Sequence, residues 1–194
     1  MAGKKSEYSK LKFGKIARRY FVLNGFDGIL TVLGISVGAF VARVSDPAIL
    51  ISSGTGTAVG LLVSGVTGAY VTEKAERTGD LKELKKSMIS NMEGSVHEKN
   101  VSKQSAFIAT VNGLSPLLCA FLIMIPYMLS QFGVIKMLNT AYFASMTVSG
   151  VLLVVFGSFL GNISKESKIK YSLKMLLAGL VTAILSMILG VAGI

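Results

Sequence analysis

The sequence has little of what soluble chemistry uses. Its 194 residues include one cysteine, one histidine and three prolines, and no tryptophan. A single cysteine, Cys119, forms no internal disulfide, and the paired CxxC spacing of a structural zinc site is absent. Cys119 falls inside an apolar block, where packing is its expected role. The one histidine, His97, has no nucleophile placed beside it by any motif. No glycine-rich phosphate loop with its lysine occurs, and no pair of haem ligands. An enzyme is therefore not expected, and neither is a permanently bound cofactor. Charge is scarce too: 15% of residues are Asp, Glu, Lys or Arg, and only ten are acidic.

What remains is apolar. The chain is 52% hydrophobic with a mean hydropathy of +0.64, well above an ordinary soluble domain. The apolar residues come in blocks with charge confined between them. Runs of about 18 or more read as membrane-spanning helices, because about 20 residues at 1.5 Å each cross the hydrocarbon layer. Five such blocks occur, at 21–42, 48–72, 104–131, 138–161 and 171–193. A soluble core does not need five of them in a chain this short. The expected fold is an all-α membrane protein with five transmembrane helices, a single membrane domain over 1–194. No small-residue cleavage site follows the first block, which is expected to anchor the chain rather than be removed as a signal.

The basic residues orient this layout. Seven Lys or Arg lie in residues 1–20, seven in 73–103 and four in 162–174. Only Arg43 and Lys136 fall in the two remaining loops. The positive-inside rule places the basic side, and with it the N-terminus, in the cytoplasm. Five spans put the termini on opposite sides, in agreement. The net charge of +10 flanks spans, so anionic membrane lipids are the expected partner and nucleic acid is not. The basic segment 1–20 is expected to form a short amphipathic helix on the membrane surface over Lys4 to Arg19, with Phe13, Ile16, Ala17 and Tyr20 to one side.

Small residues pattern three of the spans. Gly34 and Gly38 form a GxxxG pair in span one. Gly60, Ser64 and Gly68 make a ladder along span two, and Gly150, Gly157 and Gly161 recur in span four. Such spacing lets helices approach closely, within one chain or across a dimer. Pro47 is expected to open span two, where a missing N–H costs nothing. Pro116 and Pro126 suggest bends in span three, set by packing or by a cavity.

The segment 73–103 stands apart. It is polar and helix-prone, reading as a cytoplasmic helical insert between spans two and three. It holds six of the ten acidic residues. Glu73, Glu76, Asp80 and Glu83 recur at three- and four-residue intervals, so one helix aligns them. Lysines and Arg77 interleave. One reading is a solvated helix laced with i,i+4 pairs. The other is a cation-collecting arm, with Glu73, Glu76, Asp80, Glu83 and Glu93 for hard cations and Met88 and Met92, near His97, for softer ones. No EF-hand or zincin spacing is present.

The stretch "FVLNGFDGILTVLGISVGAF" carries the one acidic residue inside a span, Asp27. A charge at membrane depth costs roughly 2.5–3.5 kcal/mol on insertion scales. Asp27 is either protonated, or caps a helix broken between Gly25 and Gly28, or pairs with Arg18 or Arg19, or faces a polar cavity and meets a cation or proton there. Companions for the last reading are Asn24, Asn112 and Ser115, with Thr57, Ser64 and Thr67 in span two.

Three stretches resemble one known family. "NGFDGILTVLGISVGA" is similar to the first span of the vacuolar iron transporter family. "SGVTGAYVTEKAE" is similar to the end of its second span. "GSFLGNISKESKIKYSLKMLLAGLVTAILSMILG" is similar to its last loop and fifth span. The likeness covers about 150 residues by the blocks above. It implies five spans and a cytoplasmic insert bearing acidic and methionine ligands. It also implies export of a divalent metal cation from the cytoplasm, ferrous iron or manganese, in exchange for protons, by a homodimer with the path between subunits. The metal is then substrate rather than cofactor, and the simplest location is a prokaryotic plasma membrane. Asp27 falls on the family's span-one aspartate. Where the family has a glutamate and a methionine in span two, this sequence has Thr57 and Gly65. Of the insert glutamates, Glu73 and Glu76 have the family's ExxE spacing. A non-transporting membrane scaffold of the same architecture is the alternative, and a solute or lipid transporter a third reading.

Overall fold

The computed structural model describes residues 2–88 and 96–192. Among them the elements are five α-helices: α1 (Ala2–Val41), α2 (Pro47–Met88), α3 (Val96–Gln131), α4 (Leu138–Ser164) and α5 (Lys168–Ala192). Each contains a stretch long and apolar enough to cross a membrane, at 14–41, 47–80, 104–131, 138–164 and 168–192. The protein is thus an all-α, multi-pass integral membrane protein. Helix is the form expected in hydrocarbon, where every backbone N–H must find its acceptor inside the segment.

Two helices outrun the apolar blocks. The basic segment does not form a separate surface helix: α1 runs unbroken from Ala2 into the first span. Lys, Arg, Leu and Ala are strong helix formers, so nothing at Tyr20 stops it. Likewise α2 continues through residues 73–88, and α3 begins at Val96. Residues 89–95, which include Met92 and Glu93, lie outside the described residues.

The turns are tight. The α1–α2 turn closes with Val44 N–H bonded to Ala39 O at 3.0 Å and Arg43 in the left-handed region at φ 55°. Pro47 opens α2, and the Asp46 carboxylate caps it by accepting the Ala48 N–H at 2.8 Å. Lys165, at φ 56°, ends α4.

The chain divides into two compact units, and the division falls within α1, α2 and α3. Unit 1 comprises residues up to 24 and 62–115; unit 2 comprises 25–61 and residues from 116 on. In unit 2, Leu50, Tyr127, Ala141 and Tyr142 form a buried cluster, with the two tyrosine rings edge to face at 5.5 Å. Of the Gly34 and Gly38 pair, Gly34 serves packing within the chain: a Cβ there would sit 3.3 Å from Ser186 Oγ of α5, whereas one at Gly38 would meet nothing within 4 Å among the described residues. Ser172 of α5 donates to Val154 O of α4 at 3.0 Å. The rest of α5 is open. Only 6% of its most apolar window is buried, and Leu177, Leu180, Ile184 and Ile188 are exposed. In water such a surface would aggregate; in a bilayer it meets lipid.

Candidate functional site

Asp27 lies in unit 2. Helix α1 continues through residues 25–28, so the carboxylate does not cap a break. Its neighbour Gly28 is a contact point instead: a Cβ there would come within 2.7 Å of Pro116 Cα, so glycine is what lets the α3 backbone reach α1. Asp27 itself is exposed. Its backbone carbonyl accepts the Thr31 hydroxyl at 2.7 Å. Among the described residues its carboxylate has neither an ion-pair nor a hydrogen-bond partner. Arg18 donates to Gly14 O of its own helix, and the Arg19 guanidinium lies 5.6 Å over the Tyr20 ring.

Four of the companions proposed for it are hydrogen-bonded elsewhere. Within unit 1, Asn24 donates its amide to the Asn112 side-chain oxygen. The Asn112 amide donates in turn to Gly65 O at 2.8 Å, and Ser115 donates to Phe21 O at 2.5 Å. These bonds tie α1, α2 and α3 together and engage all three side chains. Thr57 donates to Ser53 O of its own helix at 2.8 Å, while Ser64 and Thr67 are exposed.

Gly65 has a physical reason to be glycine. A Cβ there would lie 3.1 Å from Gly113 Cα, and one at Gly113 would lie 2.7 Å from Leu62 O. The α2 and α3 backbones touch at this pair. A methionine, which the family carries at this position by resemblance, has no room here.

The acidic row of the insert divides. Glu73 is 3% exposed; Glu76, Asp80 and Glu83 are exposed. Glu73 accepts from Arg77 Nε at 3.1 Å, one turn on, and Arg77 also donates to Gln104 Oε1 of α3 at 2.5 Å. The buried carboxylate is therefore already neutralised by an arginine that joins α2 to α3. Its i,i+4 spacing was the available signal, but the sequence does not reveal its burial or the Gln104 link. Among the described residues, no group of three or more His, Cys, Asp or Glu side chains is placed to hold a metal ion. Met88 ends α2. Of the expected ligands, then, Asp27, Glu76, Asp80 and Glu83 offer exposed carboxylates, and Glu73 offers a buried one paired with Arg77.

Comparison with known proteins bears on this arrangement. The model of the VIT family matches residues 82–191, from the end of α2 through α5. An uncharacterized protein of Methanocaldococcus jannaschii is 27% identical over 175 residues, spanning 89% of this chain and 87% of that protein. Asp27 lies before the matched segment of the family model. The family is one of membrane transporters for metal ions, in keeping with five helices long and apolar enough to cross a membrane. With more than half of its length matched, the chain belongs to the VIT family.

Proposed function

We propose that this protein moves a divalent metal cation, iron or manganese, out of the cytoplasm in exchange for protons. It acts as a homodimer in a prokaryotic plasma membrane, with its N-terminus in the cytoplasm. The observation that carries the reading is Asp27, an exposed carboxylate, unpaired among the described residues, on an apolar span of a metal-transporter family member. Left facing lipid, it costs roughly 2.5–3.5 kcal/mol. A second copy of the chain and a passing cation or proton remove that cost together. Helix α2 supports the dimer. Among the described residues, no atom lies within 4 Å of a Cβ built at Gly56, Gly60 or Gly68, and Ser64 between them is exposed. A small-residue face left open along a span suits close approach of another helix. At the cytoplasmic mouth, Glu76, Asp80 and Glu83 gather cations, with Glu73, Met88, Met92 and Glu93 as further ligands.

The test is flux of ferrous iron and manganese into proteoliposomes, with a pH dye inside, for wild type and Asp27→Asn. Metal entry with a coupled pH change, lost in a folded Asp27→Asn protein, is the expected result. Undiminished flux in the variant removes Asp27 from the path. No flux of either ion from folded wild-type protein would favour a scaffold of the same architecture.

A further inference from the structure

We propose that the end of unit 2 at the α1–α2 turn holds one anionic phospholipid, its phosphate on Arg43 and one acyl chain in the slot beneath. A cavity of about 720 Å³ opens there, within the range of small-molecule sites. Val37, Val41, Met146 and Met187 form its apolar wall, with Arg43 and Asn139 among its polar lining. The Tyr142 hydroxyl is spent on Val44 O at 3.0 Å, so that side presents a ring rather than a donor. From Val37 to Val41 the helical wall runs about 6 Å at 1.5 Å per residue, and the turn carries it on to Arg43, against roughly 15 Å for one hydrocarbon leaflet. The slot therefore suits the upper part of a chain.

The head of the ligand follows from charge. Arg43 is exposed, and among the described residues its guanidinium has no hydrogen-bond or ion-pair partner. Asp46, the nearest acidic residue in sequence, faces the Ala48 N–H of its own helix instead. No acidic side chain lines the cavity. Arginine presents a planar fork that matches phosphate oxygens. A soluble anion would leave the apolar wall bare, and a choline headgroup would bring a second cation beside the first. A phosphodiester with a net negative charge and a hydrocarbon tail answers both ends of the site. The site stands apart from Asp27 and does not rest on the transport reading.

The experiment is native mass spectrometry of the full chain released from nanodiscs of mixed phosphatidylglycerol and phosphatidylcholine, with lipid titrations read by thermal melting. Wild type is expected to keep phosphatidylglycerol in preference to phosphatidylcholine. Arg43→Gln is expected to lower that preference about fivefold, the value of one cation at a lipid surface, and Arg43→Lys to retain part of it. Met187→Trp, at an exposed wall position, is expected to fill the slot and displace both lipids while the protein stays folded. Lys136→Gln removes the other loop cation and is expected to change nothing. Equal retention of the two lipids by wild type would overturn the proposal. So would an Arg43→Gln protein with undiminished preference, or a Lys136→Gln effect as large as that of Arg43→Gln, which would mean general surface attraction.

Discussion

Arg77 offers the sharpest test of how unit 1 is held together. Its partner Glu73 has a side chain 5% exposed, and Arg77's own is 20% exposed. Replacing Arg77 by Met keeps the aliphatic stem and removes both the 3.1 Å bond to Glu73 and the 2.5 Å bond to Gln104. Breaking a buried pair from one side costs about 3–5 kcal/mol, because the remaining charge stays in a poor solvent. The partial exposure of Arg77 argues for the low end, about 3 kcal/mol. Glu73→Gln is milder, about 1 kcal/mol, since the arginine left behind keeps Gln104 and some water. The double variant removes both charges and is expected to cost about 2 kcal/mol, less than Arg77→Met alone. That corresponds to a coupling of about 2 kcal/mol. The assay is unfolding in mixed micelles by titration with dodecyl sulfate, followed by circular dichroism. An Arg77→Met protein within about 0.5 kcal/mol of wild type, or singles that add within that margin, would refute the reasoning and return Glu73 to the solvated row.

Other outcomes follow from close backbone contacts and open faces. Gly65→Met places a side chain where Gly113 already sits, and is expected to destabilise by about 1–3 kcal/mol without raising metal affinity; melting and equilibrium dialysis with manganese check both. Gly28→Ala drives a methyl into the Pro116 backbone and is expected to cost about 2 kcal/mol, whereas Gly38→Ala meets open space and is expected to be near neutral in the same unfolding assay. If α2 forms the dimer contact, Gly60→Leu shifts the light-scattering mass toward monomer and Ser64→Cys gives a cross-linked dimer on mild oxidation. The native Cys119 is buried and serves as a silent background.

The five helices were legible because hydrocarbon imposes a length and a composition on whatever crosses it. Their limits were less so. The charged residues of 2–20 and 73–88 form helix as readily as the spans do, so hydropathy marks where the membrane ends and not where the helix ends. The small-residue ladders read alike in sequence. Only the structure separates Gly34, packed against α5, from Gly56 and Gly60, which face nothing among the described residues. Glu73 and Asp80 share a helical face by spacing, yet one is buried and the other exposed, because burial depends on what α3 brings alongside. Gly65 reads as a missing ligand in sequence and as a backbone contact in space. Asp27 was legible as an anomaly, since a carboxylate within an apolar run needs no tertiary information to stand out.

The contact of Gly34 with Ser186 also sets an order of events during synthesis. About 150 residues separate them, so at roughly 5–20 residues per second the ribosome needs about 8–30 s to deliver the second after the first. The α4–α5 hairpin, local in sequence and joined by Ser172 and Val154, can close as soon as it is made. The first span cannot find this neighbour until α5 has been made. During that interval it sits in the bilayer with its glycine face uncovered, so a truncated chain lacking α5 should be the form that insertion chaperones and membrane proteases recognise.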